Sequence, residues 1–169
     1  MIVAPTRERR FRALAGEATP VLGAYLRRRL YPLSASDLDD LVEEVLIIAW
    51  RRLDDVPEDA QIPWMIGVAR NVLRNAHRKY RRQAELQSRV RPTAPDQAAE
   101  DKVIADEGVR EALRSLSDDD REILLLHAWD GRSAAEIAVV LGITTNAAAV
   151  RLSRAEDRFR RHFAKVVVE

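Results

Sequence analysis

Ser133–Phe163 reads SAAEIAVVLGITTNAAAVRLSRAEDRFRRHF. The spacing predicts a short helix, a tight turn at Gly142 and a longer second helix. Ser133 and Glu136 stand at the separation of a capping box, which fixes the start of the first helix. Ile137, Ala138 and Leu141 form its expected buried stripe. Gly142 admits the positive φ that reverses the chain, and Ile143 plugs the corner. Thr144 or Thr145 caps the next helix. Ala148, Leu152, Ala155 and Phe159 recur at helical spacing and face inward. Thr145, Asn146, Ala149, Val150, Ser153 and Arg154 are then left pointing outward near the N-terminal end. A helix-turn-helix offers this surface to the DNA major groove.

Helix pairs joined by a glycine turn are common in all-α proteins that bind no DNA. The cations separate the two readings. Arg151, Arg154, Arg158, Arg160, Arg161 and Lys165 put positive charge along the second helix, where phosphates would lie.

The rest of the chain bounds the answer. Its 169 residues suffice for one compact domain or two small ones, and 47% are hydrophobic, enough to bury real cores. The absence of Cys excludes disulfides and Cys-based zinc sites. No apolar run approaches the roughly 18 residues of a membrane helix. The segment with Arg7, Glu8, Arg9 and Arg10 has no signal-peptide core. A soluble cytoplasmic protein without membrane insertion is expected.

The net charge of +1 hides a segregation. Asp37, Asp39, Asp40, Glu43 and Glu44 form an acidic block. Arg70, Arg74, Arg78, Lys79, Arg81, Arg82, Arg89 and Arg91 form a basic one. Acid returns from Asp96 to Asp120, and the C-terminus is basic again. Alternating blocks point to two kinds of partner.

Nearly all periodicity is helical. Val21, Leu22, Tyr25, Leu26 and Leu30 make one stripe, ending near Pro32. Leu38, Leu41, Val42, Val45, Leu46, Ile48 and Ala49 make the next, capped by Ser36 or Asp37. Ile62, Trp64, Met65, Val68, Ala69, Val72 and Leu73 begin a third. Gln83 to Glu100 lacks a strong stripe and contains Pro92 and Pro95, so it reads as a linker. Helical pattern resumes from Val103 to Leu116. Ser117 and Asp120 then show capping-box-like spacing before Ile123, Leu124 and Leu126. The expected architecture is all-α: two small helical domains, 10–82 and 103–165, joined by a flexible linker, 83–102.

No catalytic constellation emerges. His77, His127 and His162 are scattered, and no metal-ligand spacing links them to acidic residues. His127, beside Leu124, Leu125 and Leu126, reads as structural. There is no phosphate-binding glycine loop. No catalytic residue, metal or cofactor is therefore expected.

Two further segments make the reading specific. Asp39–Leu53 reads DDLVEEVLIIAWRRL, and Trp64–Asn75 reads WMIGVARNVLRN. Their order, the linker and the terminal helix-turn-helix resemble the extracytoplasmic-function (ECF) sigma factors, two-domain specificity subunits of bacterial RNA polymerase. The resemblance covers residues 10 to 165.

It implies a non-enzymatic factor that binds core RNA polymerase, directs it to promoter DNA and helps melt the minus-ten region. Asp40, Leu41, Glu43 and Glu44 would dock on the β′ coiled coil, and the β subunit is a further expected contact. An acidic, apolar-striped helix suits a basic helical partner. The helix from Trp64 to Arg82 would handle the minus-ten element. Arg70, Arg74 and Arg78 would meet phosphates, Asn71 and Asn75 base edges, and Trp64 would pack or stack. Asn71 aligns with the position near the flipped-out base.

The minus-35 element would be read by Thr145, Asn146, Ala149, Val150, Ser153 and Arg154. Arg151 and Arg158 would meet phosphates or carboxylates. The chain departs from the family at Ala149 and Val150, where many members carry a basic and a small polar residue. Apolar side chains there can touch thymine methyls but cannot bond to guanine. Glu43 stands where Gln is frequent. Many family members are held by an anti-sigma protein, a candidate partner here. Two rival readings are a stand-alone helix-turn-helix regulator of duplex operators and a protein-binding helical adaptor.

Overall fold

The computed structural model describes residues 6–88 and 106–168. The chain divides into two compact units, Met1–Ala99 and Glu100–Glu169. All regular structure among the described residues is helical.

The first unit holds α1 (Arg7–Arg28), α2 (Asp37–Arg51), a 3-10 turn at Leu53–Asp55 and α3 (Gln61–Ser88). Each helix packs on the other two. Leu22, Tyr25, Leu26, Val45, Leu53, Met65 and Ile66 lie at 1% exposure or less. Full burial of such a side chain stabilises by about 1.5–3 kcal/mol.

The Thr6 hydroxyl caps α1 by accepting from the Arg9 N–H at 3.3 Å. Pro20 lies inside α1. Burial of Ala18, Leu22, Tyr25 and Leu26 around it offsets the lost backbone bond. After α1, Arg29 is buried. Its Nη1 donates to the Tyr25 carbonyl at 3.3 Å, and its guanidinium lies 4.0 Å from the Tyr25 ring centroid. A cis Tyr31–Pro32 peptide follows.

The expected side-chain cap on α2 is not made. Ser36 occupies the N-cap position without a side-chain bond. Instead the Asp37 carboxylate reaches back, accepting from the Ser34 backbone N–H and hydroxyl, each at 2.8 Å. The Ser34 hydroxyl and then its N–H hold the Asp37 carboxyl below the ordinary aspartate value.

α3 differs from expectation at its far end. It continues past Gln83 to Ser88, where the linker was expected to have begun. Gln83, Ala84, Glu85, Leu86 and Gln87 are good helix formers, and no proline interrupts before Pro92, so the helix propagates without a packed face. The remainder of the expected linker, 89–102, lies outside the described residues, as does Val103.

The second unit holds α4 (Glu107–Arg114), α5 (Asp118–Ala128), α6 (Ala134–Leu141) and α7 (Thr145–Val168). The Asp106 carboxylate caps α4 through the Gly108 and Val109 N–H groups, and the Ser117 hydroxyl caps α5 through Asp120 N–H. α7 packs on α4, α5 and α6. Ile123, Leu126, Ile137, Ala148 and Ala155 form the centre of the core. His127 is exposed rather than set among the leucines. Its Nδ1 lies 2.9 Å from the Arg132 carbonyl and braces the turn before α6.

Among the described residues, no single helix is long and apolar enough to cross a membrane, and no group of His, Asp or Glu could hold a metal ion.

Candidate nucleic-acid and polymerase interfaces

The α6–α7 corner is built by backbone chemistry that the sequence encodes. Ser133 Oγ accepts from the Glu136 N–H at 3.2 Å, and Glu136 Oε2 accepts from the Ser133 N–H at 2.8 Å. Arg132 Nη1 donates to Glu136 Oε1 at 2.9 Å. Burial pushes the Glu136 carboxyl up. The Ser133 N–H, the Arg132 charge and the hydrogen bonds from both side chains outweigh it and leave the group below the ordinary glutamate value.

At the far end of α6, Gly142 adopts φ 65°. Its N–H reaches the Val139 carbonyl at 3.3 Å, and the Ile143 N–H reaches Ala138 at 3.0 Å. This is a Schellman-type stop. Thr144, not Thr145, caps α7: its Oγ1 accepts from the Ala147 N–H at 3.1 Å. The axes of α6 and α7 turn through 105°, within the range of a helix-turn-helix. The buried face of α6 is Ile137, Ala138 and Val140. Leu141, the last residue of α6, is only half-buried.

On α7, Ala148, Leu152 and Ala155 are buried, while Phe159 is half-buried and stacks on Phe163 at 5.9 Å. Thr145, Asn146, Ala149, Val150, Arg151, Ser153 and Arg154 are all exposed. Neither the Arg151 nor the Arg154 side chain makes an ion pair or hydrogen bond among the described residues. Arg158 is different. Its Nη1 pairs with the Asp120 carboxylate of α5, a group only 16% exposed. The structure therefore places Arg158 against a carboxylate of its own unit. Asp120 completes only half a capping box, its N–H bonding Ser117 while its carboxylate meets Arg158.

In the first unit, Asn71, Arg74, Asn75 and Arg78 share the exposed face of α3, opposite buried Met65, Ala69, Val72 and Leu73. Arg78 Nη2 donates to Asn75 Oδ1 at 3.2 Å. Arg70 is half-buried at the edge of this face. Trp64 is half-buried, with the Arg52 guanidinium 5.4 Å from its ring centroid. Asp55 holds Arg52 through a 2.9 Å contact to Nε. One face of the indole is thus already occupied.

α2 brings Asp40, Glu43 and Glu44 to one exposed face. Leu41 is 5% exposed and belongs to the core, so it supports this face from beneath. Sequence reasoning missed Ile47 and Trp50, which continue the same face at 42% and 37% exposure. Their spacing from Glu43 and Glu44 is the signal that could have found them. The Trp50 ring is steadied by Phe11, edge-on at 5.2 Å, and by Arg7, 5.1 Å from its centroid. Arg7 also bonds Asp54 and the Trp50 carbonyl, both at 2.7 Å.

Comparison with known proteins fits both units. Residues 17–83 match the Sigma-70 region 2 family model, and residues 106–159 match Sigma-70, region 4. The ECF RNA polymerase sigma factor SigL of Mycobacterium tuberculosis is 30% identical over 154 residues, spanning 88% of this chain and 86% of SigL. This chain belongs to the ECF sigma factors.

The match to the probable RNA polymerase sigma factor RfaY of Xanthomonas campestris is 30% over 131 residues but spans only 33% of that protein. Among solved structures, CnrH in complex with the cytosolic domain of CnrY aligns with a TM-score of 0.58 at 27% identity. That alignment covers 89% of this chain and 85% of CnrH. A CnrH from Cupriavidus metallidurans is also a sequence relative, 29% identical over 146 residues. An ECF sigma factor binds core RNA polymerase and directs promoter recognition and melting. The region 2 match sets aside the stand-alone regulator and the helical adaptor, since neither requires that unit.

Proposed function

We propose that the two units of this ECF sigma factor divide promoter recognition, and that the factor acts without catalysis of its own. The α7 face of Thr145, Asn146, Ala149, Val150, Arg151, Ser153 and Arg154 reads the minus-35 duplex. The observation that carries this is the pair of unengaged guanidinium groups, Arg151 and Arg154, beside the helix-turn-helix corner. The α3 face of Asn71, Arg74, Asn75 and Arg78 takes the minus-ten strand, with Arg70 at its edge. Trp64, stacked beneath Arg52, shapes that site by packing.

Asp40, Glu43 and Glu44, extended by Ile47 and Trp50, dock on the polymerase β′ coiled coil, with further contact to the β subunit. Acidic groups favour encounter with a basic helical partner, and exposed apolar groups supply area to bury. The likeness to CnrH, solved with the cytosolic domain of CnrY, supports an anti-sigma partner, and the composition supports a cytoplasmic setting.

The test is reconstitution with core polymerase. Wild type is expected to co-elute and to support promoter-dependent transcription. Glu44→Arg is expected to lose co-elution with its helicity intact. Unchanged core affinity would remove Glu44 from the docking face.

A further inference from the structure

We infer that Val150 is a base-reading residue whose isopropyl group packs on the C5 methyl of a thymine in the minus-35 element. The inference rests on the assignment of α7 to that duplex.

Four observations lead to it. First, the core-facing residues of α7 are Ala148, Leu152 and Ala155. At 100° per residue their mean direction lies nearly opposite Val150, so Val150 occupies the middle of the outward face. Second, Val150 is 40% exposed and is the one exposed large hydrophobic of the second unit among the described residues. The other side chains of that class, Ile47, Trp50, Tyr80 and Leu86, belong to the first unit. Third, its flanks are polar and exposed. Asn146 stands one turn before it, and Ser153 and Arg154 one turn after. An amide, an isopropyl group and a guanidinium therefore follow one another along a single ridge. Fourth, helix propensity does not ask for valine here. Alanine is the better helix former, and Ala147, Ala148 and Ala149 precede it.

The chemistry then narrows the ligand. An isopropyl group neither donates nor accepts a hydrogen bond. On the major-groove edge of B-DNA the distinctive apolar feature is the thymine C5 methyl. Cytosine presents an amino donor, and the purines present ring nitrogen and exocyclic polar groups, all of which a central valine would desolvate without compensation. Thymine gains apolar contact instead. A β-branched side chain on a helix is held to one χ1 rotamer about 90% of the time, so little freedom remains to be lost. Asn146 beside it can pair with an adenine edge and Arg154 with a guanine edge. The face is thus suited to an element in which thymine neighbours hydrogen-bonding purines.

The test removes one methyl from the DNA. Holoenzyme carrying the full-length wild-type chain selects promoters from a duplex library randomised across the minus-35 element. In a selected promoter each thymine of that element, on either strand, is replaced in turn by deoxyuridine. At one position the replacement is expected to weaken wild-type binding about three- to fivefold, the size of one buried methyl group. The same replacement is expected to be neutral for Val150→Ala, while Val150→Ile keeps the sensitivity. A flat deoxyuridine scan overturns the inference. So does a loss that persists undiminished in Val150→Ala. Arg154→Ala in the same assay separates the two levels. If it alters selection while the scan is flat, thymine reading falls and the assignment of α7 stands. If no variant on this face moves the selection, both fall.

Discussion

On α3, Arg74, Lys79, Arg81 and Arg82 are exposed, and their side chains make no ion pair or hydrogen bond among the described residues. On α7 the arginines divide at Ala155. Before it, Arg151 and Arg154 are unengaged. After it, Arg158 pairs with Asp120, Arg160 with Glu156 and Asp157, and Arg161 donates to the Asp157 carbonyl. Both helices read as basic in the sequence, yet only part of the α7 charge is available to a phosphate. The number of arginines on a helix therefore overstates its electrostatic footprint wherever carboxylates lie one turn away or on a neighbouring helix. The extended charge of α3 suits a flexible single strand tracked over many phosphates, and the compact pair on α7 suits a short stretch of duplex.

The largest expected effect tests whether the two units stand independently. Ile137 is fully buried in the second unit. Ile137→Ala should cost about 2–5 kcal/mol. Amide hydrogen exchange should show protection falling across α5, α6 and α7 while α1, α2 and α3 hold. An equal loss in the first unit would show that the units are coupled.

The next two effects are of similar size and act on different DNA. Arg154→Ala should cost about 1–3 kcal/mol of promoter binding and relax preference at one minus-35 base pair. A uniform loss over a minus-35 library, with a shallower salt dependence, would make Arg154 a phosphate contact instead. Asn71→Ala should leave core binding intact and reduce open-complex formation. Normal permanganate reactivity in that variant would take Asn71 out of the minus-ten site.

Arg158→Ala should behave unlike Arg154→Ala. The pair with Asp120 is half-exposed on the arginine side, so its loss should cost under about 1 kcal/mol of stability. The salt dependence of promoter binding should stay unchanged. A slope reduced by about one would return Arg158 to the phosphate contacts.

The smallest effect concerns pH. The Glu136 carboxyl lies below its ordinary value of 4.5 in the folded unit. A depressed carboxyl adds stability that is present above the ordinary value and is lost as pH falls through the lowered one. Glu136→Gln should therefore flatten the acid limb of the unfolding midpoint below about pH 4.5 and change little near neutrality beyond the loss of the Arg132 contact. An acid limb identical to wild type would mean that the capping box does not contribute in this window.

The parts of the molecule legible in the sequence are those fixed by short-range chemistry. The turn at Gly142, the Ser133–Glu136 box and the outward set on α7 follow from separations of three and four residues. What escaped depends on distant or competing contacts. Arg158 meets Asp120 across 38 positions, which no local pattern announces. Leu41 belongs both to the apolar stripe and to the docking set that the resemblance implies, and its burial puts it with the stripe. The α2 start is held by Asp37 reaching back to Ser34, where a forward cap from Ser36 or Asp37 is the local expectation. α3 outran its apolar stripe because propensity alone suffices when nothing breaks the helix.

α7 is both the proposed reader of DNA and the spine on which α4, α5 and α6 pack. Its inner side is committed to Ala148, Leu152 and Ala155, and its positions 146, 149, 150, 153 and 154 are exposed. The two sides are therefore free to change at different rates under selection. A lineage could rewrite its promoter preference at positions 146, 149, 150, 153 and 154 with little risk to folding. By contrast, a methyl group gained or lost on the inner side would disturb three helix contacts at once. Small departures such as Val150 are what an evolvable outer side would accumulate.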